Sequence, residues 1–540
     1  MLIYRFPQIT YLFLIALFAF FVGTTATHAA NTILEPNKAR YNGCSNMLID
    51  GATGSLENQT DQDQGSPNVI SSGPKVLIKN INFIGNAALS DDELAALLNG
   101  CLGKKYDFQG LSELTNHVMS YYREKNYPFA TAIFPPQTMS KGLLIIRIIE
   151  GKYGEVKTSG EASIANSAAA FLHKLKPGDI ISEDLLNRTI LILDEIPGIR
   201  VKPSIAAGEK QGLGNLDVLV SKEEPWSGSL KIDNHGEKST GKNSMTLNLT
   251  ANHLDTFGDS LSFSAIQADQ NLTLVDLKYE RPIGFSGARW GINVATSQYH
   301  LGGDFSVFSG NVTKYKSTLS YPFVLTPKRK LKSYFSYNIS KKHQFVGATL
   351  TDETFTSGFD LGMEFEQLYR SNSGRSTKSN LSLVVEDLKS TYSAQDSRKY
   401  KYLKGWIQHR EPINDQLMAS LELSFQNSVD QLSHSSNAYS LGGPNNIRAY
   451  SNDKISGPSG YHASFELSYN SPSSSSFVFG DFGEISAPSG QLHQALTGAG
   501  FGVRKKVKNL YTEVLFAFPL KSTETEESDP KLWLAIQSNF

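Results

Sequence analysis

From residue 227 onward the chain alternates apolar and polar positions. Met245, Leu247, Leu249 and Ala251 stand against Thr246, Asn248 and Thr250. Ala419, Leu421, Leu423 and Phe425 stand against Ser420, Glu422 and Ser424, and Ala463, Phe465, Leu467 and Tyr469 against Ser464, Glu466 and Ser468. A period of two sends successive side chains to opposite faces of an extended strand. One apolar and one polar face suits strands with lipid outside and a wet lumen inside. It suits equally a sheet with one packed and one solvated face. Length favours the first reading. Membrane strands need about 9–11 residues, so at roughly twenty residues per strand with loops, residues 227–540 hold about sixteen strands. A sandwich of that size more readily splits into domains.

Upstream the period changes. Val76–Ile84 reads as a strand ended by Gly85-Asn86. Ser90-Asp-Asp-Glu93 is a capping box, with Leu94, Leu97 and Leu98 following at helical spacing. Leu111, Leu114, Val118 and Tyr121 share one face of a second helix. Strands follow at Ala130–Phe134 and Leu143–Ile149. The order β-α-α-β-β then repeats. A strand begins at Val156, and helices cover Ala168–Leu175 and Leu185–Leu193, closed by Pro177-Gly178 and Pro197-Gly198. Strands cover Ile199–Ile205 and Leu216–Val220. Each tandem α+β unit has a free sheet edge able to accept an extended peptide as an added strand; a plain spacer is the other reading. Asn31–Gly73 is poor in apolar residues, and Gly51–Gly65 within it reads as a linker.

The start of the chain indicates the compartment. Arg5 precedes the apolar run Tyr11–Val22, and Thr27-His-Ala29 supplies small residues for cleavage. That order describes a secretory signal, and the run is short for a membrane span. A mature chain that crosses a membrane must then do so as a closed barrel, because lipid offers backbone groups no partners. The 23 Tyr, 30 Phe and 44 Gly suit barrel girdles and turns. Net charge is −1, which gives no reason to expect nucleic acid or another polyanion as partner. An oxidising compartment permits a bridge between the two cysteines, Cys44 and Cys101; two isolated thiols are the alternative.

Several motifs suggest chemistry and fail. Gly236–Asn243 approaches a phosphate loop, but Asn243 stands where Ser or Thr must meet magnesium, and a strand follows instead of a helix. No nucleotide, cofactor or metal is therefore expected. The eleven histidines lack HExxH spacing, His117 falls on the polar side of its helix, and Gly284-Phe-Ser-Gly287 has the wrong spacing for a nucleophile elbow. No base or second carboxylate accompanies Asp481, so nothing supports an enzyme. Acidic Glu524–Glu527 reads as a solvated outer loop.

Two segments are more specific. Leu441–Tyr450 reads as a long loop carrying a single arginine, and Phe479-Gly-Asp-Phe-Gly483 places one aspartate inside an aromatic strand. Lys125–Ala132 and Pro135-Pro-Gln137 look like turn motifs of a first periplasmic domain that ends at Glu150-Gly151. Leu175–Gly178 and Ile196–Ile199 do the same for a second. Asp233–Gly236 with Thr240-Gly241 looks like a first barrel strand, and Gly258-Asp259 like a strand start. From about Val76 to Phe540 the chain resembles the outer-membrane transporters of two-partner secretion (the TpsB family, FhaC/ShlB type).

The resemblance implies α+β periplasmic POTRA domains followed by an all-β transmembrane barrel of about 16 antiparallel strands. Its divisions are a signal peptide at 1–29, a linker with a plug segment at 30–74, POTRA domains at 75–153 and 154–222, and the barrel at 227–540. Ile447, Arg448, Ala449 and Tyr450 match the tip of an outer loop that folds back into the lumen. There the arginine pairs with Asp481 of the wall motif Phe479, Asp481, Gly483. Ala449 replaces the usual glycine, which is costly if the position needs positive φ. Phe540 matches a C-terminal signal for barrel assembly, and Cys101 fits a disulfide found in part of the family, with Cys44 further upstream than usual. The implied partners are a secreted, unfolded exoprotein (TpsA-like, of haemolysin or haemagglutinin type), outer-membrane lipid and the barrel assembly machinery. The implied function is secretion of that exoprotein across the outer membrane. A factor that assembles or inserts other barrels shares the same parts, and a passive porin lacks a reason for the tandem domains.

Overall fold

The computed structural model describes residues 74–540 apart from 238, 270–271, 370–373, 392–397, 430–436, 487–493 and 523–527. The signal stretch, Cys44, the plug segment and Glu524–Glu527 lie outside the described residues. Two compact units share the chain. One takes residues through Ser159 with Leu172–Ile190 and Lys202–Leu219; the other takes Gly160–Phe171, Leu191–Val201 and Val220–Phe540.

In the first unit β1 (Val76–Leu77) and β2 (Asn80–Ile84) replace the single strand expected over Val76–Ile84. The chain turns aside at Ile78 and Lys79, whose amides donate to Lys104 and Gly142. So β1 pairs with β3 (Lys105–Tyr106), while β2 lies parallel to β5 (Leu143–Ile149), which also takes β4 (Thr131–Ile133) as the sheet edge. Helix α1 (Asp91–Leu98) starts at the capping box, with the Ser90 hydroxyl accepting from the Glu93 amide. Helix α2 (Phe108–Glu124) buries Leu111, Leu114 and Val118. Tyr122, not Tyr121, completes its core face and is 0% exposed, because three turns of about 3.6 residues lead from Leu111 to position 122.

Two sequence motifs have clear tasks here. Gln137 donates to the Ile145 carbonyl and accepts from the Ile145 amide, pinning the Pro-Pro turn to β5. Buried Glu150 gathers the amides of Ala87 and Ala88 at 2.8 and 2.7 Å and the Tyr122 hydroxyl at 3.0 Å. Burial, and then the neighbouring Glu150, push the Tyr122 phenol up. Cys101 is disulfide-bonded and fully buried.

The second α+β segment contains β6 (Lys152–Gly160), α3 (Ala162–Ala169), α4 (Glu183–Asp194), β7 (Ile199–Ala207) and β8 (Leu213–Lys222), with sheet order β6-β8-β7. Strand β6 begins four residues before the expected Val156, since the Lys152 amide is already bonded to Gly212. The helix expected over Ala168–Leu175 lies earlier. Ala-rich Ala162–Ala169 forms it, burying Ile164, Ala165 and Ala168, and the chain then tightens into a 3₁₀ turn at Ala170–Leu172.

The rest is a barrel. Its first strands are β9 (Trp226–Asp233), β10 (Ser244–Asn252), β11 (Ser260–Ala268), β12 (Thr273–Pro282), β13 (Arg289–His300) and β14 (Phe308–Leu325). Then come β15 (Arg329–Val346), β16 (Thr349–Leu368), β17 (Ser376–Ser390), β18 (Arg398–Pro412) and β19 (Leu417–Ser428). A small ribbon, β20 (Tyr439–Leu441) with β21 (Ile455–Gly457), interrupts the series. It resumes with β22 (Ser459–Asn470), β23 (Ser474–Ser486), β24 (Gln494–Val507), β25 (Leu510–Ser522) and β26 (Lys531–Asn539). Among the described residues sixteen antiparallel strands close on themselves through β26 and β9, so no sheet edge is left. The apolar face is exposed: Phe335 stacks on Phe359 and Phe501 on Phe516. No helix among the described residues is long and apolar enough to cross a membrane.

Candidate functional site

The β20–β21 ribbon carries the loop Leu441–Tyr450 into the barrel. Gly442 and Gly443 have φ of 115° and 100°, which turns the chain back on itself. Asn446 holds this turn: its side-chain oxygen accepts from the Gly442 amide at 2.7 Å and its amide nitrogen donates to the Ser440 carbonyl. The Gly443 amide reaches the Tyr450 carbonyl at 2.9 Å.

The turn delivers Arg448 to the wall. Its Nε and Nη2 donate to the two oxygens of Asp481 at 2.9 and 2.7 Å, and its main-chain amide donates to Asp481 Oδ2 at 3.0 Å. Nη2 also reaches the Ser464 hydroxyl, and Nη1 reaches Glu466 Oε2 at 3.0 Å. The guanidinium lies 3.5 Å from the centre of the Phe479 ring, a cation–π contact. Arg448 is 7% and Asp481 2% exposed. A bidentate charged pair this dry is strong only because each donor has a partner.

The other expected residues shape the seat. Ile447, Ala449 and Tyr450 are fully buried, and the Tyr450 hydroxyl donates to the Thr497 carbonyl. A Cβ on Gly483 would meet the Leu441 and Ile447 side chains at 2.8 and 3.1 Å, so this glycine makes room for the loop. Ala449 does not have positive φ, so the alanine costs nothing in backbone strain. Its methyl lies 2.5 Å from where a Cβ on Gly498 would stand. Phe540 lies away from this site: its amide and carbonyl pair with Gly228, and its ring meets Trp226 edge-on.

Sequence reasoning missed five neighbours. Arg504 donates to both oxygens of Glu466 and to Glu513, and stacks 3.8 Å from the centre of the Phe477 ring. Trp533 donates its indole N–H to the Arg448 carbonyl at 2.7 Å. The resulting chain of charges, Asp481–Arg448–Glu466–Arg504–Glu513, crosses β22, β23, β24 and β25. Glu466 could have been found from its place on the polar face of the alternation; the others carried no local signal. A polar cavity of 260 Å³, lined in part by Glu422, Asn445 and His462, adjoins Arg448. Gly236 donates its amide to the Lys242 carbonyl shortly before β10, and among the described residues no cluster of His, Cys, Asp or Glu is arranged to hold a metal ion.

Comparison with known proteins follows this geometry. Residues 212–505 match the family described as haemolysin secretion/activation protein ShlB/FhaC/HecB, and residues 76–151 match the ShlB-type POTRA domain. The chain is similar to the heme/hemopexin transporter protein HuxB of Haemophilus influenzae (strain 86-028NP), 29% identical over 50% of this chain and 47% of that one. It thus spans about half the length of these relatives. It is 25% identical to the outer membrane transporter CdiB of Escherichia coli over 74% of this chain and 70% of the relative. The solved structure of CdiB from Escherichia coli superposes with a TM-score of 0.75 at 18% identity, covering 88% of this chain and 93% of that one; CdiB from Acinetobacter baumannii gives 0.67. BamA from Haemophilus ducreyi, at 0.51 and 14% identity, shares the fold alone. With more than half its length matched, the chain belongs to the ShlB/FhaC/HecB family of outer-membrane secretion/activation proteins.

Proposed function

We propose that this chain is the translocation pore of a two-partner secretion pair, with domains divided at 75–153, 154–222 and 227–540. It captures an unfolded partner exoprotein in the periplasm and passes it through the barrel. The single observation that carries this reading is the loop tip held inside a closed sixteen-strand barrel by Arg448 and Asp481. A loop tip held against the inner wall by buried charged contacts to Asp481 and Glu466 is a gate that cargo can displace.

Capture fits the first α+β unit. Strand β4 is a sheet edge, and beside it runs an apolar groove of 610 Å³ lined by Phe108, Leu111, Phe134, Pro135 and Met139. Phe108 is 70% exposed. An extended segment could add to β4 through its main chain and set alternate side chains in the groove. Folding of the cargo outside then supplies the energy that no nucleotide provides. Lipid surrounds the barrel, and the barrel assembly machinery inserts it, reading the strand that ends in Phe540. The Cys44–Cys101 bridge would tether the linker to this unit.

The reading is tested by expressing a neighbouring gene for a large secreted protein with and without this chain. Exoprotein in the medium only when the chain is present supports secretion. Retained exoprotein together with failure of other barrels to assemble on deletion would instead identify an assembly factor.

A further inference from the structure

The outer wall of the barrel carries a cluster of lysines at one rim. Strand β9 enters the barrel from β8, so the ends of β15 and β17 and the starts of β16 and β18 lie at the opposite rim. Odd-numbered positions of β15, β16 and β17 point outward. Tyr337, Phe359, Leu361 and Leu383 are large, apolar and exposed, while Thr354, Asp360 and Ser382 on the other face are buried. Register then places Lys341 of β15 opposite Phe355 of β16, and Phe355 opposite Lys389 of β17. Lys399 and Lys401 of β18 stand opposite Asp387 and Val385 of β17, on the same outward face. All four lysines are exposed. From strand spacing, successive members stand about 7–10 Å apart at their roots.

Lys341 is paired with Glu353 at 2.6 Å, and His343 lies 3.6 Å from the same carboxylate oxygen. Among the described residues no hydrogen bond or ion pair engages Lys389, Lys399 or Lys401. The charge is also local. In the Lys341 row, β13 and β14 present Thr296 and Thr313, and one row further out Gln298 and Asn311. Toward the other rim the same columns turn apolar. Tyr337, Phe359 and Val385 share one row, and Phe335, Leu361, Leu383 and Leu403 share the next, with Phe335 stacked on Phe359. Positive charge above an exposed apolar wall matches a lipid, with an anionic headgroup over acyl chains. A soluble acidic partner would meet the lysines and leave that wall uncovered.

We propose that the outward face of β15–β18 is a binding site for a phosphorylated lipid of the outer leaflet. Lys389, Lys399 and Lys401 take its phosphates, and Phe359, Leu361 and Leu383 lie along its acyl chains. An ammonium meets a phosphate as a compact charge with three donors, so three neighbouring lysines suit a headgroup bearing more than one phosphate. This rests on the reading that lipid surrounds the barrel and is independent of the loop tip and its arginine.

The test places the purified full chain in phosphatidylcholine nanodiscs doped with lipid A, a bisphosphorylated glycolipid, and counts the lipid A it retains by native mass spectrometry. Wild type is compared with Lys389→Gln/Lys399→Gln/Lys401→Gln and with the same three positions changed to Arg. A control, Lys174→Gln/Lys176→Gln/Lys210→Gln, removes equal charge from exposed positions outside the barrel. The site predicts that wild type, the Arg variant and the control retain lipid A alike, and that the barrel Gln variant retains at least tenfold less. Millimolar inorganic phosphate should leave retention by wild type unchanged. Equal retention by the barrel Gln variant overturns the site, and so does an equal loss in the control. Displacement by inorganic phosphate would show a simple anion site and overturn the lipid. A chain that enters no nanodisc would remove the membrane reading as well, whereas one that enters and shows no preference removes the site alone.

Discussion

Glu466 and Arg504 meet on the lumen wall so that the arginine donates to both carboxylate oxygens, one of which, Oε2, also accepts Nη1 of Arg448. Glu466 is thus shared between the loop's arginine and the wall's own. Asp481 makes the bidentate contact, and Glu466, already neutralised by Arg504, adds a weaker second hold. Glu466→Gln should therefore loosen the loop less than Asp481→Asn does. Labelling of a cysteine at Asn445 should rise severalfold in the first variant and about tenfold or more in the second; equal labelling would contradict this ranking.

The pair itself should behave as a unit. Removing one partner of a buried ion pair strands the other at a cost of about 3–5 kcal/mol. Arg448→Ala and Asp481→Ala should each release the tip, and the double variant should be no worse than either, since residues in contact do not add. Arg448→Lys should restore little, because an ammonium cannot span both oxygens of Asp481 while stacking on Phe479. Bilayer conductance of the four variants checks the cycle.

Close packing makes a suppressor test available. Gly498→Ala puts a methyl 2.5 Å from that of Ala449, and overpacking of this kind costs about 1–3 kcal/mol. The variant should expose the loop tip to protease. Ala449→Gly in the same chain should restore protection, and failure to restore it would show that the two methyls do not compete.

How much of this was legible beforehand depended on how local the signal was. Arg448 and Asp481 could be read because each is a lone charge within a short motif. The alternation 463–469 indicated which face of β22 is polar, and hence that Glu466 looks inward, but not what it meets. Trp533 lies 85 residues from Arg448 and Arg504 lies 38 from Glu466; barrel register alone unites them, and register has no signature in one strand. The two misplaced elements have similar causes. The strand over Val76–Ile84 breaks because its partners lie elsewhere in the unit, and the helix at Ala162–Ala169 was passed over because its short alanine and serine side chains give a weak apolar period.

Glu150 organises the first unit by accepting three donors at once. Glu150→Ala should leave them unsatisfied and destabilise the unit by about 3 kcal/mol, seen as faster pulse proteolysis of the full chain with the barrel intact. The Tyr122 phenol is raised above its ordinary value, so its contribution is complete below about pH 10 and declines as pH rises further. The first unit should weaken as pH rises above about 10, and Tyr122→Phe should flatten that decline.

The groove beside β4 can be tested without touching the core. Phe108→Asp, at an exposed position, should lower secretion severalfold while barrel level and conductance stay as in wild type. Unchanged secretion would remove the groove from the capture step.

The central claim is that the held tip serves transport, and it is tested most directly by secretion of the partner exoprotein with wild type and with Arg448→Ala at equal barrel levels. The account predicts abundant exoprotein in the medium with wild type and at least tenfold less with the variant. Equal secretion by the two would contradict the role given to Arg448 and to the loop it holds.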